Sequence, residues 1–476
     1  MDSRERYRQV LLKYRTNPVE PGGDTCWSPE LETAPRNRIR EIQGDKLAAA
    51  VAFLWDYSPF YRRRLEQDKL APSDIKSVDD LHKLPVLKRE DFVASHQANP
   101  PWGDFSPISQ SMWAKDGWLL FTTGGTTAAP RPFRMTRFDR DQAAWLFARG
   151  FWAMGVRPGD VGSFITNYGA HIFFWEAQQG FHHIGCPVIA LGGADLKRRI
   201  EFQKNFPATV LGATASFALF MGERMKAQGF DPRQSGVRIL FNGAEPGGCV
   251  PATKRRVEEL WGATLHEWFG ATEVGPSGHS CVYEAEQKGR AMNLHFLEDS
   301  YIVETVDPRT LEPVAEGHDG VLVMSGLYSE GTPFPRYLLG DYTRLTTEPC
   351  GCGRTTMRAI GGMYGRLDDM LSIRGSHVYP SAIEDVVRGI RDISEAYEVV
   401  IEKKDGQDHV TVRCEPRPNI PEERWGAVVE AVTREVSSAL EVKVAVELKA
   451  YGTVSREFKA KRIMDMRRTP LPKDAL

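Results

Sequence analysis

The sequence has few features that would place it in a membrane, an oxidising compartment or a nucleic-acid complex. No apolar run is long enough to span a bilayer, and the first residues, MDSRERYRQVLLKYRTNPVE, lack the apolar core of a secretion signal. The formal charge of -2 on 476 residues gives no overall attraction to nucleic acid or to an anionic membrane. Seven cysteines, an odd count, argue against a disulfide framework. We therefore expect a cytoplasmic protein with reduced thiols that binds neither nucleic acid nor a membrane.

The apolar pattern predicts an α/β fold with a large N-terminal domain of layered sheets and helices. The first hundred residues carry helical spacing, as in RNRIREIQGDKLAAAVAFLWDYSPFYRRRLEQ. From Trp118 to about Gly326, short β-rich runs alternate with helix-length stretches, which favours stacked α and β layers. A small β subdomain is expected at about residues 280–360. The large domain is therefore expected to span residues 1–368.

Residues 369–476 are expected to form a small α+β domain. The segments MLSIRG, YEVVIEKKDGQDHVTVRCEP and KVAVELKAYG read as strands, the second of them a hairpin around Asp405-Gly406. PEERWGAVVEAVTREVSSAL reads as a long helix opened by a proline and acidic residues.

The stretch WLLFTTGGTTAAPRPFRMT looks like a phosphate-binding loop because it is rich in glycine and threonine, but its glycine–threonine run contains no lysine. Its glycines permit close backbone approach, and its amides and hydroxyls can donate to phosphate oxygens. It matches neither GxxxxGK[ST] nor GxGxxG. By itself, the segment is equally compatible with a surface loop.

Six segments, in order, resemble the AMP-forming adenylating superfamily, and within it the phenylacetate–CoA ligase-like branch. They are TGGTTAAP, NGAEPGG, WFGATEVGP, RYLLGDYTRL, GRLDDMLSIRGSHVYPSAIEDVV and GTVSREFKAKR. The segment SPFYRRRLEQDKLAPSDIKSVDDLHKLPVLKREDF also reads like that branch's helical entry. The resemblance runs from about Ser58 to Arg462.

The resemblance implies an ATP-dependent ligase that adenylates an aromatic carboxylic acid and passes the acyl group to coenzyme A. The acid is expected to be phenylacetate or an amino- or hydroxy-substituted benzoate. Two alternatives stay open: delivery of the acyl group to a separate carrier protein, and a degenerate, non-catalytic nucleotide-binding protein. Homodimers are common among relatives, so a homodimer is also expected.

The resemblance assigns catalytic roles to three residues. Glu273 would hold Mg²⁺ against the phosphates, Thr272 would donate to the α-phosphate, and Lys459 would reach in from the small domain. Asp368 matches the hinge about which the small domain rotates. The implied ATP-binding set is Thr123, Gly124, Gly125, Thr126, Thr127, Gly243, Ala244, Glu245, Pro246, Phe269, Gly270, Asp341 and Arg366. Within it, Phe269 would stack on adenine and Asp341 would accept from the ribose.

Two departures from the family pattern affect these assignments. The loop has Ala128-Ala129-Pro130 where relatives usually carry Gly-Lys-Pro, and we hypothesise that Arg131 or Arg134 supplies the missing charge. The terminal loop lacks the expected glycine before Lys459, so Lys461 remains an alternative catalytic lysine.

A structural zinc site is implied by the segment Cys350-Gly351-Cys352-Gly353-Arg354, which resembles the branch's Cys-x-Cys-Gly-Arg. Cys281 and His295 lie where some members supply the other two ligands, and Cys₃His is a common zinc ligand set. His279 is an alternative to His295, and free thiols are the alternative to a metal.

Aromatic and small residues are the candidates for the carboxylate pocket. They are Tyr168, His171, Phe174, Ala213 and Ala244, and plain core packing is the alternative for each. We hypothesise that His171 contacts an amino or hydroxyl group on the ring of the acid.

Overall fold

The computed structural model describes residues 1–123, 131–166, 168–367, 371–373, 376–378, 380–404, 407–440, 443–455 and 462–467. In it, helices and strands alternate along the chain as an α/β protein requires, which confirms the predicted fold class.

The N-terminal region is helical, as predicted. Its helices are α1 (Ser3–Lys13), α2 (Pro29–Glu32), α3 (Arg36–Tyr57), α4 (Pro59–Gln67), α5 (Arg89–Ala98) and α6 (Gln110–Asp116). Ser77 is the N-cap of a short 3₁₀ helix, and its side chain accepts from the backbone of Asp79. Within the described ranges, every helix is too short or too polar to cross a bilayer.

Buried ion pairs fix these helices to the rest of the large domain. In α1, Arg4 donates to Glu330 at 2.8 Å, and Arg8 donates to the same carboxylate at 2.6 Å. In α3, Lys46 is fully buried and donates to the backbone oxygen of Asp299 at 2.6 Å. The Asp299 carboxylate accepts from Arg149 at 2.8 Å. Because each buried charge has a partner, these contacts tolerate the low dielectric of the core.

A β-hairpin and a long buried helix follow. The hairpin consists of β1 (Gly117–Thr122) and β2 (Pro132–Thr136), paired antiparallel with Phe121 opposite Phe133. Helix α7 (Arg137–Ala153) starts at Thr136, whose hydroxyl accepts from the backbone of Asp139. Residues 124–130, which connect the two strands, lie outside the described residues.

Parallel strands form the centre of the main sheet. Along the chain the elements are β3 (Gly162–Phe164), α8 (Ile172–Ile184), β4 (Val188–Ile189), α9 (Leu196–Asn205), β5 (Val210–Ala213), α10 (Ala215–Ala227), β6 (Ile239–Asn242), α11 (Pro251–Trp261) and β7 (Thr264–Ala271). The strands lie in the order β4-β3-β5-β6-β7 and all run parallel. Their carboxyl ends therefore share one edge, where open α/β sheets bind ligands.

The strands of the expected β subdomain continue the same sheet. They are β8 (Gly275–His279), β9 (Leu294–Phe296), β10 (Tyr301–Val306), β11 (Asp319–Gly326), β12 (Tyr337–Thr346), β13 (Arg358–Ala359) and β14 (Gly365–Arg366), with α12 (Val282–Glu286) after β8. The path runs β7-β8-β9-β13-β12-β11-β10 with antiparallel pairs, and β14 pairs with β12. This part of the molecule is thus hydrogen-bonded to the parallel strands.

The C-terminal part has its own sheet and its own apolar core. Its elements are β15 (Leu371–Ile373), β16 (Ser376–Val378), α13 (Pro380–Gly389), β17 (Ile393–Lys404), β18 (Gln407–Pro416), α14 (Trp425–Leu440), β19 (Val444–Leu448) and β20 (Ile463–Asp465). Its larger sheet has four strands in the order β19-β18-β17-β20. Lys404 pairs with Gln407, which confirms the predicted hairpin on either side of residues 405–406. A core of residues between Ile383 and Val444 packs against this sheet.

Candidate functional site

Loops that follow β5, β6 and β7 meet at the carboxyl edge of the parallel strands. Ala213 ends β5 and is buried, Gly243 to Pro246 follow β6, and Thr272-Glu273 follow β7. The topology of the sheet thus brings together three segments that are spread over about sixty residues of the sequence.

Asn242, the last residue of β6, holds the Gly243–Pro246 loop in place. Its side-chain oxygen accepts from the backbone of Ala215 at 2.7 Å. Its side-chain nitrogen donates to the backbone oxygen of Glu245 at 2.6 Å. The Glu245 carboxylate accepts from the backbone of Ser216 at 2.6 Å, at the start of α10. Ala244 has a φ of 72°, a left-handed conformation that side chains rarely adopt.

Glu267 anchors the second half of this loop from the neighbouring strand β7. One carboxylate oxygen accepts from the backbone N–H groups of Gly247 at 3.1 Å and Gly248 at 2.5 Å. The other accepts from the Asn242 side chain at 3.0 Å. Glu267 is 5% exposed, so removing its carboxylate would leave these donors buried without an acceptor.

Glu273 is a buried carboxylate at the end of the β7 loop. It is 8% exposed, and one of its oxygens accepts from Arg131 at 2.7 Å. The hydroxyl of Tyr337, at the start of β12, donates to the same oxygen at 3.3 Å. Burial raises the pKa of Tyr337, so its phenol stays protonated and able to donate.

Asp341 and Arg366 lie opposite each other on β12 and β14. The guanidinium of Arg366 is 3.5 Å from the carboxylate of Asp341 and is nearly half exposed. The positive φ of Gly340, 86°, marks the bend in β12 beside this pair. The structure thus brings together two residues assigned to ribose and phosphate binding from motifs about 25 residues apart.

The remaining candidates for nucleotide binding lie at the carboxyl end of β7 or directly after it. Phe269 is half-buried, with its ring edge-on to Phe296 at 6.3 Å, and Gly270 is exposed. Thr272 is half-buried and directly precedes Glu273.

Several sequence-predicted residues lie outside the described residues. These are Gly124, Gly125, Thr126 and Thr127 of the glycine–threonine loop, the hinge residue Asp368, and the two candidate lysines Lys459 and Lys461. Thr123 is described, and its backbone N–H donates to the backbone oxygen of Arg131 at 3.1 Å. This bond closes the base of the loop.

Of the candidates for the carboxylate pocket, Phe174 is buried in the core, and Tyr168 and His171 lie on the segment before α8. Phe174 is 1% exposed and packs between Phe164 and Tyr168. The Tyr168 hydroxyl accepts from the backbone of Leu191 at 3.0 Å. His171 directly precedes α8 and is half-buried.

A residue that the sequence did not single out, Phe173, lies against the start of the β6 loop. A methyl group added at Gly243 would stand 3.0 Å from the Phe173 ring. Two adjacent aromatic residues at a helix start give no sequence signal as to which one faces the loop. Tyr337 and Glu267 were missed for a similar reason, because a lone tyrosine or glutamate within a strand has no distinctive pattern.

Cys281, His295, Cys350 and Cys352 form a compact cluster beside α12. Their ligand atoms all lie within 4.8 Å of one another. Cys281 and Cys350 sulfurs are 4.0 Å apart, and the Cys352 sulfur is 3.6 Å from Nε2 of His295. Tetrahedral zinc with bonds of about 2.3 Å places its sulfur ligands about 3.8 Å apart, so these side chains fit such an ion.

The thiols of this cluster share their hydrogen bonds unevenly, and the bonds to Cys350 and Cys352 hold the pKa of Cys281 well above its ordinary value. Hydrogen bonds from Cys281 and Cys350, and then from His295, hold the pKa of Cys352 well below its ordinary value. Burial lowers the pKa of His295. A thiolate and a neutral imidazole are the forms that bind metal ions. His279, the alternative ligand, is not part of this group among the described residues, and its Nδ1 lies 2.9 Å from the backbone oxygen of Ser280.

Helices α11 and α13 join the large part of the molecule to the C-terminal part. The Asp385 carboxylate of α13 accepts from the backbone of Ala252 in the first turn of α11, at 2.8 Å. In return, Arg256 of α11 donates to the backbone oxygens of Ile393 at 3.2 Å and Arg388 at 3.4 Å. Each helix thus caps an end of the other. Burial lowers the pKa of Arg256 to about 9.

Two family models match the chain and together cover most of it. A model described as AMP-binding enzyme matches residues 33–329, and one described as AMP-binding enzyme C-terminal domain matches residues 375–467. The phenylacetate-coenzyme A ligase of Thermus thermophilus is 30% identical, with 93% of this chain and 100% of that protein covered. The phenylacetate-coenzyme A ligase of Pseudomonas putida is 29% identical, with coverage of 92% and 96%.

A solved relative, 2-hydroxyisobutyryl-CoA ligase, is similar to this chain in two states. In the postadenylation state with 2-HIB-AMP it gives a TM-score of 0.87 at 28% identity, covering 94% of both chains. In the thioesterification state with 2-HIB-AMP and CoA the TM-score is 0.69, with the same identity and coverage. This chain is thus more similar to the postadenylation state of that protein than to its thioesterification state.

Replacement of Glu267 by alanine tests the anchor of the β6 loop. We expect E267A to lower the free energy of unfolding by about 2–3 kcal/mol, because the amides of Gly247 and Gly248 lose their buried acceptor. The exposed Glu259 supplies a matched control, and E259A should change stability by less than about 0.5 kcal/mol. Urea unfolding of both variants measures the difference. Equal stability of E267A and wild type would show that the loop does not depend on this carboxylate.

Proposed function

Because the chain belongs to the AMP-binding enzyme family, we propose that it joins an aromatic carboxylic acid to coenzyme A with cleavage of ATP to AMP and pyrophosphate. AMP-forming CoA ligase activity is supported by the family match and by relatives that align over nearly the whole chain. The observation that carries the proposal is the buried carboxylate of Glu273 at the edge of the sheet where the β5, β6 and β7 loops meet.

The proposed reaction has two steps. A carboxylate oxygen of the acid attacks the α-phosphorus of ATP, the bond to pyrophosphate breaks, and an acyl-adenylate forms. The thiolate of coenzyme A then attacks the acyl carbon, and AMP leaves with the carboxylate oxygen. Both steps redistribute negative charge over phosphate oxygens, so positioned cations and N–H or O–H donors stabilise the transition states.

The side chains of the site match these requirements. Glu273 would hold Mg²⁺, which neutralises phosphate charge when bound, and Thr272 would donate to the α-phosphate. Asp341 would accept from the ribose hydroxyls, with Arg366 between ribose and phosphates. Lys459, or Lys461, would bring a further positive charge from the small domain.

Aromatic side chains near the β6 loop support an aryl acid as substrate. Phe173 lies against Gly243, Tyr168 and His171 lie on the segment before α8, and the small side chain of Ala213 ends β5. Flat rings and small side chains suit an aryl group. The relatives named phenylacetate-coenzyme A ligase point to the same class. Transfer to a carrier protein instead of free coenzyme A is the second candidate for the acceptor.

ATP–pyrophosphate exchange across a panel of acids tests the first step. We expect exchange with at least one of phenylacetate, benzoate, aminobenzoates or hydroxybenzoates, and thioester formation when coenzyme A is added. E273Q should reduce the exchange rate by about 100-fold or more, because it removes the charge that would hold the metal. E286Q, an exposed glutamate on α12, serves as the control and should exchange like wild type. No exchange with any acid, aliphatic acids included, would contradict the proposal.

We also propose that Cys281, His295, Cys350 and Cys352 bind a structural zinc ion. The cluster is coupled to the N-terminal helices through Arg354, which donates to the Cys352 sulfur at 3.5 Å and to Glu32 of α2 at 2.9 Å. A bound ion would therefore stabilise the packing of α2 as well as the turn around Cys350.

Metal analysis tests the zinc proposal. We expect about one zinc per chain in protein purified without chelator, and C352S should lose most of it because a closed site needs all four ligands. C414S, which replaces a buried cysteine on β18 of the small sheet, should keep the metal. Elemental analysis and thermal unfolding before and after chelation measure both effects. Metal-free wild-type protein that is no less stable would rule the site out.

We propose further that the small domain changes orientation between the two half-reactions, with α11 and α13 holding the adenylation arrangement. The two states of 2-hydroxyisobutyryl-CoA ligase and the mutual capping of α11 and α13 support this. Arg256 is buried and donates to backbone oxygens of the small domain, so rotation would remove those acceptors from its guanidinium.

A variant of Arg256 separates the half-reactions. R256A should lower pyrophosphate exchange about 5- to 30-fold relative to thioester formation from pre-formed acyl-adenylate, because losing about 1–2 kcal/mol shifts the orientation equilibrium by that factor. R255A removes the exposed neighbouring charge and should leave the ratio unchanged. If R256A reduces both rates equally, the contact does not select an orientation.

A further inference from the structure

The small sheet buries a carboxylate to which the proposed reaction gives no role. Glu415, near the end of β18, is 0% exposed. One of its oxygens accepts from the backbone N–H of Val454 at 2.6 Å. The other accepts from the backbone N–H of Gly452 at 3.0 Å and from the Ser394 hydroxyl at 3.4 Å. A buried carboxylate needs donors around it, and here two of them belong to one short segment.

The two backbone donors belong to a turn that follows β19. The backbone N–H and the hydroxyl of Thr453 both donate to the backbone oxygen of Ala450, at 3.2 Å and 2.7 Å. Gly452 has a φ of 92°, which glycine adopts without strain. Gly452 and Thr453 are exposed, whereas Val454 is buried. The backbone of a surface turn is thus held against the sheet by the carboxylate of Glu415.

This turn leads directly into the terminal loop that contains both candidate lysines. Residues 456–461, REFKAK, follow Ser455 and lie outside the described residues. Beyond them, the guanidinium of Arg462 donates to the backbone oxygen of Ser455 at 2.8 Å. The backbone oxygen of Arg462 accepts from the N–H of Val399 on β17 at 2.7 Å. Both ends of the terminal loop are therefore fixed to the small sheet, one of them through Glu415.

The turn also contacts the large part of the molecule. The ring centre of Tyr451 lies 5.7 Å from the guanidinium carbon of Arg224 on α10. Arg417, two residues after Glu415, donates to the neighbouring Glu223 at 3.3 Å. The segment before the terminal loop thus has a defined place relative to the large part.

We propose that Glu415 is a positioning residue for the first half-reaction, because it holds the turn that sets where the lysine of the terminal loop stands. This inference rests on the proposed function and adds a residue to it. A lysine stabilises phosphate charge as a point charge on a flexible stem, so its effect depends on how its backbone is held. A misplacement of about 1 Å can cost about 100-fold in rate. In the proposed cycle the small domain then changes orientation, so thioester formation does not use this lysine.

Separate assays of the two half-reactions test the proposal. E415Q should lower the kcat of ATP–pyrophosphate exchange by about 10- to 100-fold, because the turn loses its charged acceptor. The KM for MgATP should stay within about twofold, since a lysine that acts on the transition state changes kcat rather than binding. Thioester formation from pre-formed acyl-adenylate should also stay within about twofold. E430Q replaces an exposed glutamate of α14 and should match wild type in both assays.

Hydrogen exchange measures the anchor without any substrate. The amides of Gly452 and Val454 should exchange at least about tenfold faster in E415Q than in wild type, because their acceptor has lost its charge. The amides of the β17–β18 ladder should keep their protection, which shows that the small domain is folded.

Three results would overturn the proposal. They are an equal loss of both half-reactions in folded E415Q, exchange kinetics in which kcat is unchanged, and unchanged hydrogen exchange at Gly452 and Val454. If wild type catalyses no pyrophosphate exchange with any acid, the proposed function fails, and the role assigned to Glu415 fails with it. Hydrogen exchange then still shows whether the carboxylate holds the turn, so the two failures are distinguishable.

Discussion

A carboxylate buried at the edge of a parallel sheet is the constraint on which the site depends. Glu273 is removed from water, so it needs a cation or several donors beside it, and the fold supplies Arg131 and Tyr337 from two distant segments. Those contacts fix the β1–β2 hairpin and the start of β12 against the end of β7. The loop after β6 is held by a second buried carboxylate, Glu267, on the same strand β7. Strand β7 thus positions both halves of the proposed nucleotide site.

Contacts in the rest of the molecule hold that edge of the sheet in place. Ion pairs through Glu330 and Asp299 fix the N-terminal helices, and Arg354 connects α2 to the cysteine–histidine cluster. The C-terminal part has a separate core and meets the large part through the ends of α11 and α13, where polar groups rather than a continuous apolar core make the contact. Contacts of this kind can break and re-form without unfolding either part, which is what a change of orientation between half-reactions requires.

Much of this arrangement could be predicted from the sequence. The spacing of apolar residues indicates the helices and strands, and the order of the motifs indicates which loops form the site. Alternating strands and helices predict parallel strands, and parallel strands place the segments after β6 and β7 at one edge. The structure places Cys281, His295, Cys350 and Cys352 together, and a metal bound by them is a proposal. Side-chain direction could not be predicted. Phe173 and Phe174 are adjacent aromatics at a helix start, and Arg131 and Arg134 lie close together in the sequence at the start of β2. The pattern therefore does not show which member of each pair faces the site.

Oxygen transfer from the acid to AMP tests the central claim most directly. An aryl acid labelled with ¹⁸O in its carboxylate would be converted with ATP and coenzyme A, and the AMP analysed by mass spectrometry. The account predicts one labelled oxygen in AMP, since the carboxylate oxygen that attacks the α-phosphorus leaves with it when the thioester forms. Label in inorganic phosphate or pyrophosphate, or unlabelled AMP after full conversion, would contradict activation through an acyl-adenylate.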